Sequence, residues 1–118
     1  RTKGYLWLAS RPGPVLLWQQ SGSQIALELT GYWRSEIVRN TDGRLLPEEV
    51  ELLTKRLESA HHVFGDRHNE LTLIGLSDAC GTFARALRSA LCNEQEVSAW
   101  KAGEEFPDPW PKTLRQLD

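Results

Sequence analysis

Every histidine of the chain falls in one stretch, residues 61–71, reading HHVFGDRHNEL, together with the carboxylates of Asp66 and Glu70. Imidazole nitrogens and carboxylate oxygens are zinc-type ligands, so this is the first place to look for chemistry. Spacing limits what it can do. On a helix, ligands that share a face are three or four residues apart. His61 and His62 are adjacent, diverge by about 100° and cannot easily grip one ion together. His68 and Glu70 alternate onto one side of a strand. That leaves His62, His68 and Glu70 as the candidate metal set, three ligands with an open fourth position. The plainer reading makes His61 and His62 solvated cations at a helix C-terminus and His68 a turn residue. It is favoured, because mixed His/carboxylate spacing without cysteine is a weak signal. Asp66-Arg67 is the other chemical pair. Arg67 could fork onto a carboxylate or a phosphate. The simpler expectation is that Asp66 accepts backbone N–H groups in its own turn and Arg67 pairs locally.

Elsewhere the usual signatures are missing. There is no Gly-rich phosphate loop, GxSxG, HExxH or CxxC. Cys80 and Cys92 are twelve positions apart, a rotation of roughly 120° on a continuous helix, so they do not face each other. Cys80 reads as a small core residue. No nucleophile–base pair is recognisable, which ranks a small enzyme last among the readings, and without a phosphate loop no nucleotide cofactor is expected in this chain. Of the five tryptophans, Trp7 and Trp18 lie in apolar strands and suit core packing. Trp33, Trp100 and Trp110 lie near element ends and suit an interface.

These residues need elements to carry them. Residues 3–10 read as a strand apolar on both faces, hence interior. Pro12-Gly13-Pro14 breaks the pattern, since two prolines in three residues argue against a continuing ladder. Strands at 15–20 and 24–30 follow, joined by Ser21-Gly22-Ser23, which gives a three-stranded antiparallel meander. A turn is expected at 40–43. A helix begins at Pro47, with Glu48 and Glu49 at its positive end and a stripe of Val50, Leu53 and Leu57. Residues 71–76 form a short, almost wholly apolar strand, expected to be central. A second helix spans about 78–91, with Cys80, Phe83, Ala84, Leu87 and Leu91 on one face. Asn93 and Glu96 have capping-box spacing and open a short third helix ending near Trp100. The result is an α+β fold: an antiparallel-rich four-stranded sheet in the order β-β-β-α-β-α, helices on one face, and an irregular Pro-rich tail over 103–118.

The 118 residues suit one core and a single domain, and 40% hydrophobic with 25% charged composition is that of a globular chain. No apolar run approaches the roughly 20 residues of a membrane span. Residues 1–47 carry six Lys/Arg against three Asp/Glu, and residues 48–118 eight against thirteen; neither half is basic enough for a nucleic-acid surface. The absence of methionine and the start at Arg1 suggest a piece of a longer protein. Two unpaired cysteines fit a reducing, cytoplasmic setting.

Taken in order, several motifs resemble those of the C-terminal domain of CobW-type proteins, P-loop GTPases associated with metal delivery. Arg1, Lys3, Gly4 and Trp7 match an RxKGxxWLA opening. Trp18 with Gln20-Ser21-Gly22 matches a W-x-Q-x-G hairpin, and Gly31-Tyr32-Trp33 a G-x-W. Gly65-Asp66-Arg67, Glu70-Leu71 and Ile74-Gly75 match GDRxxELxxIG, and Asp108-Pro109-Trp110-Pro111 a DPFP tail. The resemblance spans nearly the whole chain. It implies a non-catalytic domain that packs on an N-terminal GTPase domain of the same protein and helps form a surface for a client metalloenzyme or a homodimer partner. GTP with Mg and zinc or cobalt would belong to the parent protein.

Overall fold

The computed structural model describes residues 1–39 and 45–110. The turn expected at 40–43 and the end of the expected tail lie outside them. The chain runs β1 (Thr2–Leu8), β2 (Arg11–Ser21), β3 (Gln24–Tyr32), α1 (Arg34–Arg39), α2 (Pro47–Ala60), β4 (Glu70–Leu73), α3 (Ser77–Ser89) and α4 (Glu94–Lys101). The four strands form one antiparallel sheet in the order β3-β2-β1-β4. This is the expected α+β fold, with its meander and its interior β1, plus one helix that the sequence did not announce.

Two strand expectations need correction. β2 does not wait for Val15 but starts at Arg11 and passes through both prolines. Gly13 O accepts from Trp33 N on the β3 side at 3.2 Å. By strand alternation, the N–H groups that Pro12 and Pro14 lack would face β1. The β1–β2 ladder is interrupted there, between Leu6 and Leu8, so no partner is deprived. β4 is not central. It is four residues long and lies at the sheet edge against β1, with Ile74 and Leu76 65% and 81% exposed. An apolar run without alternation cannot distinguish a covered centre from an edge awaiting cover.

The deepest apolar side chains among the described residues are Leu16, Leu17, Leu27 and Trp33, on and just beyond β2 and β3. Trp33 is only 4% exposed, which removes it from the interface candidates and places it in the core. α2 begins at Pro47 as expected and ends where His61 N donates back to Leu57 O. Val50, Leu53 and Leu57 are half-buried while Leu52 is exposed, so the stripe faces inward. α4 carries the full capping box: Glu96 N donates to Asn93 Oδ1 at 2.8 Å, and Asn93 N donates to Glu96 Oε1 at 3.0 Å.

Candidate functional site

The motif residues come together where β1 meets β4 and the turn that follows α2. Gly4 lies opposite Leu71, and a Cβ there would run into the Glu70 carbonyl oxygen and stand 2.7 Å from Leu71 Cα. Glycine lets the two backbones close. The pairing extends one step past β4, because Ile74 N donates to Arg1 O and the Arg1 amino group donates to Ile74 O, both at 2.9 Å. At the other end Trp7 N donates to Asn69 Oδ1 at 2.8 Å. Arg1, Lys3, Tyr5, Glu70, Thr72 and Ile74 line an open depression of about 440 Å³ on one face of this strand pair.

Asp66 closes α1 from a distance. Arg34 N and Ser35 N donate to its carboxylate at 2.7 and 3.1 Å, and Ser35 Oγ donates at 2.7 Å. Partial burial pushes its pKa up, but the Ser35 hydroxyl and the Arg34 and Ser35 amides outweigh that and hold it below the ordinary value. The expectation that Asp66 serves mainly its own turn is therefore corrected: its partners lie on another helix. The preceding Gly65 sits at φ 65°, and a Cβ there would strike Ser35 Oγ, the donor to Asp66.

Arg67 does pair locally. Its Nε donates to Phe64 O at 2.7 Å and its Nη2 to Val63 O at 3.3 Å. The guanidinium lies 5.4 Å from the Trp7 ring centre and 4.8 Å from that of Trp100. Burial lowers its pKa, Asp66 and Glu36 oppose that, and Arg39 adds to it. Phe64 completes the cluster, 5.7 Å from Trp7 and 5.6 Å from Trp100, while the two indoles meet edge-on at 5.1 Å. Trp7 is thus half-buried in a cation–aromatic corner, its indole N–H held by Pro12 O at 3.1 Å. Trp18 is half-buried in the sheet and donates to Thr2 Oγ1 at 2.8 Å.

The candidate metal ligands are only partly gathered. His68 Nε2 stands 3.5 Å from Glu70 Oε2, and His68 Nδ1 lies 2.8 Å from the Asp66 carbonyl. His62 does not join them; its ring stacks on His61 at 4.7 Å, and His61 in turn stacks on Phe64. His61 Nδ1 accepts from Val63 N and Phe64 N, which makes it a turn residue. Among the described residues no three His, Cys, Asp or Glu side chains converge. Both cysteines are free, and burial followed by Glu96 raises the Cys92 thiol pKa, away from reactivity.

Sequence reasoning missed Ser35 and the Arg11–Asp108 pair. Arg11 Nε meets Asp108 Oδ2 at 2.7 Å, and Arg11 Nη2 donates to Trp110 O at 3.1 Å. The Trp110 amide, ahead of Arg11, holds the Asp108 carboxyl below its ordinary value. Asp108 and the Trp110 carbonyl therefore tie the tail to Arg11 at the start of β2. The advance signals were an Asp-Pro pair in a loop and the resemblance of residues 108–111 to a DPFP tail, which say turn and family but not partner.

Comparison with known proteins fits this arrangement. The family described as cobalamin synthesis protein cobW C-terminal domain matches residues 1–92. A zinc chaperone of Mycobacterium tuberculosis is 26% identical over 112 residues, 93% of this chain and 27% of that protein. A zinc-regulated GTPase metalloprotein activator of Dictyostelium discoideum is 32% identical over 76 residues, 64% of this chain and 15% of its own length. The chain spans about a quarter or less of these relatives. No solved structure matches it. The family match covers every motif residue from Arg1 to Gly75, and the chain belongs to the cobW C-terminal domain family.

Proposed function

We propose that the chain serves as the non-catalytic C-terminal domain of a GTP-dependent metal chaperone, packing on a GTPase domain and contributing to a client or dimer surface. The parent protein would use GTP with Mg and carry zinc or cobalt as cargo in a reducing cytoplasm. The observation that carries this reading is the family match over residues 1–92, with relatives named a zinc chaperone and a zinc-regulated GTPase metalloprotein activator. Ile74 and Leu76, just beyond the edge strand β4, are both more than half exposed, which is compatible with a partner covering that edge. A docked domain can transmit nucleotide state only by binding two states differently.

The test is deletion of residues 1–118 from the parent protein, with GTP hydrolysis and zinc transfer to its client both measured. Hydrolysis is expected to persist while transfer falls by about tenfold or more, the range of a typical coupling energy. Equal transfer without the domain overturns the reading.

A further inference from the structure

Residues 93–110 meet the rest of the chain through Trp100, Asp108 and the Trp110 carbonyl, with Val97, Ala99 and Phe106 also half-buried. The reciprocal Asn93/Glu96 bonds close α4 at its start, so it keeps its shape without help from the sheet. None of its residues is fully buried. Trp100, in its last turn, is the side chain that enters the corner made by Trp7, Phe64 and Arg67. Eight positions on, Asp108 takes the Arg11 ion pair and its Oδ1 accepts from Trp110 N at 3.0 Å. Between these anchors, Gly103 N and Glu104 N donate back to Trp100 O and Ala99 O, within the segment itself.

We propose that residues 93–110 form a strap that opens as a unit about the 90–92 link. The corner beneath it is a binding site for a planar aromatic ring, filled by Trp100 when the strap is closed. The site does not depend on the strap for its shape. The Arg67 guanidinium is fixed by the Phe64 and Val63 carbonyls, and Trp7 by Pro12 and Asn69, all outside the strap. A fixed cation beside two aromatic rings favours a flat, electron-rich ring over an aliphatic side chain. The deepest apolar residues lie on β2, on β3 and at Trp33, none of them within the strap.

Amide exchange and indole titration of the 118-residue chain test both parts. Asp108→Asn removes the ion pair but keeps the Oδ1 acceptor. Exchange across 94–101 is expected to quicken about tenfold, with β2 unchanged, as for a local opening. No change in either, or a parallel rise in both, overturns the strap. In the same variant, millimolar indole should compete with Trp100 and speed α4 exchange further; no response overturns the site. In Trp100→Ala, indole should shift the Arg67 Nε–H resonance saturably, and adding Arg67→Ala should abolish the binding. A non-saturable shift, or equal binding by the double variant, also overturns the site.

Discussion

Asp66 acts on residues 31 and 32 positions away, and that distance explains both its value and its concealment. A six-residue helix has as many orphan N–H groups at its start as a long one and fewer bonds to offset them. A carboxylate cap of this kind contributes about 1 kcal/mol. Because the folded pKa of Asp66 lies below its ordinary 3.8, the unfolded chain takes up the proton first. The contribution is therefore complete above that value and is lost as pH falls through the folded pKa. Urea midpoints are expected to drop below about pH 4, and Asp66→Asn should flatten that drop. Gly65→Ala combines a positive φ with the collision at Ser35 Oγ and is expected to cost more than Asp66→Ala in the same measurement. Arg67→Lys keeps the charge but loses the planar fork, and thermal melts should show destabilisation by about 1–2 kcal/mol. With His62 turned onto His61, zinc titration of the isolated chain should give no tight binding; a saturable heat signal lost in His68→Ala would restore the three-ligand set.

Elements differ in how far their neighbours matter. α2 and α4 carry their own signals, a proline at the first position in one and a capping box in the other. α1 has neither, and its cap is supplied by the turn after α2. β4 is held at an edge by a strand whose Gly4 permits close approach. Gly4→Ala would force the β1–β4 backbones apart, and exchange at 70–74 should quicken while the β2–β3 ladder keeps its protection. Unchanged exchange at β4 would show that the strand shifts without loss.

Taken whole, the domain buries its apolar side chains most deeply along β2 and β3 and leaves Ile74, Leu76 and Leu91 open. If a GTPase domain covers them, adding that domain in trans should raise the melting temperature of the chain. The stabilisation should grow with concentration, to about 2.7 kcal/mol at one hundred times Kd. No shift at any concentration would argue for another partner. The sequence by itself determined the elements whose signals are local: the meander from alternating apolar residues, α2 from Pro47, and α4 from Asn93 and Glu96. It also carried the motif order that marks the family. Tertiary structure alone decided that Asp66 caps α1, that Arg67 lies against both Trp7 and Trp100, that Arg11 holds Asp108, and that His62 stands apart from His68 and Glu70. The physical reason is range. Propensity, capping and turn chemistry act over three or four residues, whereas these contacts join positions separated by many more, and sequence spacing carries no distance across a fold.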